Sequence, residues 1–175
     1  MVSWDVAVMA MIGVSAMGAL IADGERARVR YIQAMRRCLM RFADVLRYEQ
    51  PELAQLLRRV NLRATPQERQ LTQLLHACAE RLDRCVNPQL TLLFAGESVR
   101  VPGYGVLTEE DRGAFEALLG ELGRTGLDEQ LRLISAADER LRRREAEVER
   151  DCAQRARLIR TLGVTAGAAV FLLMI

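Results

Sequence analysis

Two apolar stretches, residues 6–22 and 161–175, lie near the ends of the chain, and each is bordered on its inner side by arginines. Residues 6–22 carry no charge, with Ser15 their one polar residue. As a helix they make a rod of about 25 Å, set against a hydrocarbon core of roughly 30 Å. Trp4 in the interface, with mild tilt or local thinning, makes up the difference. The second stretch reads TLGVTAGAAVFLLMI, and Leu158 and Ile159 extend it backwards. Such a chain is expected to hang from a membrane as a hairpin: transmembrane segments at 1–22 and 161–175, with a helical domain at 23–160 between them. A cleaved secretory signal would place positive charge ahead of the first apolar run. Here that position holds only Asp5 and the α-amino group, which favours an uncleaved anchor. A buried core helix is the competing reading of 161–175, although after Arg160 its polar side chains are two threonines.

The arginines set the orientation. Residues 23–47 hold seven arginines against three acids, and residues 140–160 hold eight against four. Both inner flanks are therefore expected on the cytoplasmic side of a cell membrane, with both termini outside. Residues 48–139 reverse the balance, with ten arginines and fifteen acids. The formal net charge of +2 thus hides a gradient, basic beside the anchors and acidic away from them. All 25 basic residues are arginine, which excludes a lysine Schiff base; coding bias is the plain reading of that choice.

Helical periodicity fills the domain. Tyr31, Met35, Leu39, Phe42 and Leu46 recur at steps of three and four, one stripe of an amphipathic helix. Gln50-Pro51 breaks it, and Leu53, Leu56, Leu57 and Val60 continue on a second, short helix. Thr65-Pro66-Gln67-Glu68 is a capping box that opens a helix through Leu71, Leu74, Leu75, Cys78 and Leu82 to about Cys85. Residues 89–107 read as a loop with one helical turn around Leu90 to Phe94. Thr108 caps the next helix, whose apolar residues are Phe115, Leu118, Leu119 and Leu122, with Gly123 as a left-handed stop. A long helix then starts at Leu127 and carries Leu131, Ile134, Leu141, Val148, Cys152 and Ile159. No strand signal of any length appears, so the expected fold is all-α, an antiparallel helical bundle carried on N- and C-terminal transmembrane helices.

Signs of chemistry are sparse. His76, the single histidine, lies about 200° around its helix from Cys78, so a tetrahedral metal site with Cys78 and Cys85 is not expected. Cys38, Cys78, Cys85 and Cys152 show no paired spacing. The charge run DERLRRREAEVER reads as a solvated helix face laced with i,i+4 pairs, and nucleic-acid binding is not expected. No nucleophile elbow, phosphate loop or dinucleotide fingerprint occurs. The reading is of a non-enzymatic protein without a cofactor.

Residues 107–134, LTEEDRGAFEALLGELGRTGLDEQLRLI, followed by 156–175, ARLIRTLGVTAGAAVFLLMI, resemble the stage III sporulation protein AB family. The resemblance rests on Leu107, Glu109, Asp111, Leu118, Leu122-Gly123-Arg124, Gln130, Arg160, Leu162-Gly163 and Gly167, with a weaker match at Tyr48, Pro51 and Leu53. Two positions depart: Gly126 stands where the family commonly has aspartate, and its upstream tryptophan is absent, Tyr104 being the nearest aromatic. The resemblance implies a cytoplasmic domain similar to that of the type II secretion system F protein. It further implies a channel component between mother cell and forespore, on the mother-cell side in the outer forespore membrane. The implied partners are an ATPase of the stage III sporulation AA type and other channel proteins of the same operon. A generic membrane-tethered adaptor and a secretion platform outside sporulation are the other readings of the same layout.

Two sets of residues are candidates for contacts. Glu109, Glu110, Asp111, Glu116 and Glu121 on one short helix form a candidate face for a basic partner, or simply a soluble, well-capped surface. Gly163 and Gly167 form a GxxxG step, and Gly13 with Ala10 and Ala16 a comparable small face, on which membrane helices, including those of a second copy, can approach closely. Chance small residues in an alanine-rich tail would look the same.

Overall fold

The computed structural model describes the backbone of residues 4–84, 89–101 and 103–174, and within these the side chains of 24, 26–155 and 158. The described residues form α1 (Trp4–Tyr48), α2 (Leu53–Arg59), α3 (Pro66–Leu82), α4 (Leu90–Ser98), a 3-10 turn (Tyr104–Val106), α5 (Glu109–Glu121) and α6 (Leu127–Met174), with no strand among them. The fold is all-α. Its contacts divide the chain into two compact units, Met1–Arg26 with Glu147–Ile175, and Ala27–Ala146.

The second unit is a helical bundle. On α1 the stripe of Tyr31, Met35, Leu39, Phe42 and Leu46 is buried, and Ile32, Ala34, Cys38 and Val45 are buried with it. That arc is wider than one stripe because α1 has neighbours on several sides. Tyr31 donates to Gln70 of α3, Arg28 reaches α5, and Gln33 and Arg36 reach α6. Pairing of Gln33 with Glu145 and of Arg36 with Asp138 fixes α1 and α6 as antiparallel within this unit. Ile134, Ala137 and Leu141 form the buried line on α6, at steps of three and four. In the first unit, Val148 is buried and Cys152 half-buried.

The chain between the long helices folds as neighbours in sequence: α2 packs on α3, α3 on α4 and α4 on α5. The helix α1 stops where proline demands it. The residue before proline is disfavoured in the right-handed helical region, and Gln50, at φ 44°, lies outside it. Thr65 and Glu68 close the expected capping box on α3, Glu68 Oε2 accepting from the Ala64 N–H at 2.7 Å and the Thr65 N–H at 3.2 Å. The other Glu68 oxygen faces Arg37, and the carboxylate is 2% exposed. At the end of α5, Gly123 takes φ 79°, the left-handed stop that an L side chain resists.

Within the segment 89–107, read as a loop with one helical turn, that turn lengthens into the nine-residue α4. Leu90, Phe94, Glu97 and Ser98 are its buried face, at positions i, i+4, i+7 and i+8. Leu92, 68% exposed, and Gly96, which faces open space, hid that face in the sequence. A mid-helix glycine costs about 1 kcal/mol, while burying Phe94 contributes about 1.5–3 kcal/mol. Burial wins. Phe94 sits 5.7 Å from Phe115 and 5.8 Å from Tyr104, and Tyr104 lies 6.1 Å from Tyr31, so four rings join α1, α4, the 3-10 turn and α5. Gly103 at φ 92° lets Tyr31 approach, since a Cβ there would stand 3.2 Å from the Tyr31 hydroxyl. The helix α3 ends at Leu82, and Cys85, near which it was expected to end, lies outside the described residues.

Among the described residues no helix is long and apolar enough to cross a membrane. The side chains of residues 6–22 and 161–175, and with them Gly13, Gly163 and Gly167, lie outside the described residues.

Candidate functional site

The acidic helix α5 begins with Thr108, whose Oγ1 accepts from the Asp111 N–H while Asp111 Oδ2 accepts from the Thr108 N–H at 2.9 Å. Thr108 and the acids Glu109, Glu110 and Asp111 satisfy and complement the N-terminal dipole. At about 100° per residue, Asp111 turns toward the side of Phe115, Leu118 and Leu122, and its carboxylate is fully buried. Arg28 of α1 grips it with two nitrogens, Nε to Oδ2 at 2.6 Å and Nη2 to Oδ1 at 3.0 Å. Arg144 of α6 donates Nε to Oδ1 at 2.8 Å and sets Nη2 against Glu110 at 2.7 Å. Burial alone would raise the Asp111 carboxyl. Arg28, the Thr108 backbone N–H, Arg144 and the Thr108 hydroxyl outweigh it and hold the group down to about 2.

Asp111 is therefore corrected as a member of the partner face. It joins α1, α5 and α6 from inside the bundle, where no partner reaches it. The other four candidates lie on the outward half of α5. Glu109, Glu110 and Glu121 are exposed, Glu110 being paired with Arg144. Half-buried Glu116 accepts from the Tyr104 hydroxyl at 3.4 Å and lies 3.8 Å from Arg112, whose guanidinium sits 5.9 Å from the Tyr104 ring centre. Glu116 is tied to the aromatic cluster, which leaves Glu109 and Glu121 as the outward carboxylates nearest to the expected role.

A second cluster links the long helices. Arg36 donates Nε to Asp138 at 2.8 Å and Nη1 to Glu145 at 2.7 Å, and Glu145 also accepts from the Gln33 amide at 2.8 Å. The Arg36 guanidinium is held further in its charged form, first by the Asp138 hydrogen bond and then, against burial, by Glu145. In the sequence Arg28 and Arg36 read as members of the basic border at 23–47, Arg144 as a member of that at 140–160, and Asp138, Arg144 and Glu145 as part of a solvated charge run.

His76 Nε2–H donates to the Val60 carbonyl at 3.1 Å, tying α3 to the residue after α2. Cys78 is buried and burial pushes its thiol up to about 12; Cys38, also buried, is pushed up as well. Neither thiol has the enhanced acidity of a nucleophile. Among the described residues no three histidine, cysteine or acidic side chains converge as metal ligands do.

No curated protein sequence matches the chain. One solved structure, of a stage III sporulation protein AB, is similar at TM-score 0.57 with 18% identity, covering 73% of this chain and 97% of its own. At that identity the likeness establishes the fold. The sequence profile of stage III sporulation protein AB matches residues 3–175, through both apolar segments and the whole bundle, and the chain belongs to that sporulation family.

Proposed function

We propose that the protein is a non-enzymatic, membrane-hung component of a secretion-like assembly between mother cell and forespore, and that its helical bundle is the cytoplasmic platform for a partner ATPase. Membership of the sporulation family over residues 3–175 carries this reading. The apolar character of residues 6–22 and 161–175, with their arginine borders, supports two anchors and a cytoplasmic bundle; the mother-cell side follows from the family resemblance. The Asp111 and Arg36 clusters support a mechanical role. They clamp α1, α5 and α6 to one another with charged hydrogen bonds, so a push on the bundle moves packed helices as bodies and does not deform them.

The test is affinity capture of the full-length protein from detergent-solubilised membranes of sporulating cells, with the stage III AA-type ATPase followed by immunoblot. The ATPase is expected to co-purify, and paired charge reversals Glu109→Lys and Glu121→Lys are expected to weaken its recovery. Absence of the ATPase from the captured material, with the bait intact, refutes the platform role.

A further inference from the structure

Arg144 of α6 joins two adjacent carboxylates of opposite exposure. Its Nε donates to Asp111 Oδ1 at 2.8 Å, on a fully buried carboxylate, and its Nη2 lies 2.7 Å from Glu110, which is 77% exposed. The two acids stand about 100° apart on α5, so Asp111 turns into the bundle and Glu110 turns out, while one planar guanidinium spans both. Arg36, by contrast, spans Asp138 and Glu145, both half-buried and both on α6. Glu110 is the carboxylate of the Asp111 cluster that a partner can reach.

The grips on the two long helices are unequal. Arg28 of α1 holds Asp111 through Nε at 2.6 Å and Nη2 at 3.0 Å. Arg144 gives Asp111 its Nε and sets Nη2 against Glu110. A two-nitrogen grip on a buried carboxylate is strong, whereas an ion pair with an exposed partner is worth little and is broken cheaply. The part of the cluster that opens at low cost is therefore on the α6 side. Ala27 and Ala146 bound the bundle, so Arg28 and Arg144 hold α1 and α6 close to where each leaves it.

We infer that Glu110 is an outside handle on the Asp111 clamp: a cationic side chain of a protein partner that draws Glu110 from Arg144 loosens α6 from α5, while α5 stays fastened to α1. The inference rests on the platform reading and adds a response of the bundle to its partner. A cation at Glu110 competes with Arg144 for one carboxylate, and charge selects that occupant. Glu109 supplies the contrast. It is exposed, carries the same charge at the same helix end, and among the described residues makes no ion pair.

The test is hydrogen exchange followed by mass spectrometry on the full-length protein in nanodiscs of zwitterionic lipid. Glu110→Gln is expected to raise exchange about threefold in α6 peptides spanning 138–146 and to leave α1 peptides spanning 28–36 unchanged. Glu109→Gln removes the same charge from the same helix dipole and is expected to change neither. Adding the stage III AA-type ATPase to the wild type is expected to protect the start of α5 and to raise the same α6 peptides. Equal α6 exchange in wild type and Glu110→Gln overturns the inference. An equal rise with Glu109→Gln, or a rise in α1 as large as in α6, overturns it too. An ATPase that protects α5 without raising α6 exchange defeats the handle and spares the platform. An ATPase that is not captured and leaves every peptide unchanged defeats the platform, and the two α5 variants then decide the handle.

Discussion

Replacing Asp111 by asparagine removes one negative charge from the point where three helices meet, and its cost follows from the bonds the carboxylate makes. Arg28 holds it through two nitrogens at 2.6 and 3.0 Å, Arg144 through one at 2.8 Å, and the Thr108 N–H closes the cap at 2.9 Å. Two independent routes give the magnitude. Removing one partner of a buried ion pair costs about 3–5 kcal/mol; here the lower end applies, because the amide oxygen keeps one acceptor and Arg144 keeps Glu110. From the titration side, a carboxyl lowered from 3.8 to about 2 is worth about 2.5 kcal/mol, at roughly 1.4 kcal/mol per tenfold change. The expected loss at pH 7 is therefore about 2–3 kcal/mol.

The sign of the pH dependence makes this prediction specific. The folded state lowers the Asp111 value, so its stabilisation is complete above the ordinary value of 3.8 and drains away as pH falls toward about 2. Urea unfolding of the full-length protein in neutral detergent, followed by the helical circular dichroism signal at pH 7, 4, 3 and 2, reads it out. The gap between wild type and Asp111→Asn is expected to stay constant down to about pH 4 and to close by about pH 2. Other carboxylates titrate in both proteins and cancel in the difference. A gap below about 0.5 kcal/mol at pH 7, the size of an ordinary surface substitution, refutes the clamp. So does a gap that persists unchanged at pH 2.

Three further substitutions probe the bundle. Leu141→Ala, at a fully buried position on α6, is expected to cost about 2–5 kcal/mol in the same urea titration. Gly123→Ala is expected to cost about 1–2 kcal/mol: the left-handed φ of 79° penalises it, since the new Cβ meets Leu53 at an ordinary 3.6 Å. In a Cys85→Ser background at pH 8, maleimide is expected to label half-exposed Cys152 first and to reach Cys38 and Cys78 only on unfolding, because burial raises both thiols and shields them. Mass spectrometry of timed aliquots orders the three sites.

Much of this bundle was legible wherever local pattern and burial agree. The Thr65–Glu68 box, the Gln50-Pro51 break, the Gly123 stop and the α1 stripe are each written in a few adjacent residues, and each stands in the fold. The helix α4 was legible only as its first turn around Leu90 to Phe94, because exposed Leu92 and outward Gly96 blurred the face that continues to Ser98. Asp111 was half legible. Its angle on α5 already placed it with Phe115 and Leu118, away from the glutamates, but nothing local names its partners, since Arg28 is 83 residues away and Arg144 33. Long-range ion pairs have no period, so a charge run in sequence does not disclose which members face inward.

Those inward members change what the arginine-rich composition means. Arg28 grips Asp111 with two nitrogens, Arg144 spans Asp111 and Glu110, and Arg36 spans Asp138 and Glu145. A planar guanidinium fork serves such divergent acceptors, whereas an ammonium is a single point of charge. Whatever made the chain lysine-free, these sites use what arginine alone provides. The pairing also redraws the charge gradient. Arg28, Arg36 and Arg37 belong to the basic border at 23–47 and Arg144 to that at 140–160, yet each lies against a carboxylate. An orientation rule that counts arginines is indifferent to this pairing; the field a partner meets depends on it. Glu68, Asp111, Asp138 and Glu145 drop out of that field along with their arginines. Of the acids on α5, Glu109 and Glu121 then remain as exposed carboxylates, Glu110 being paired with Arg144.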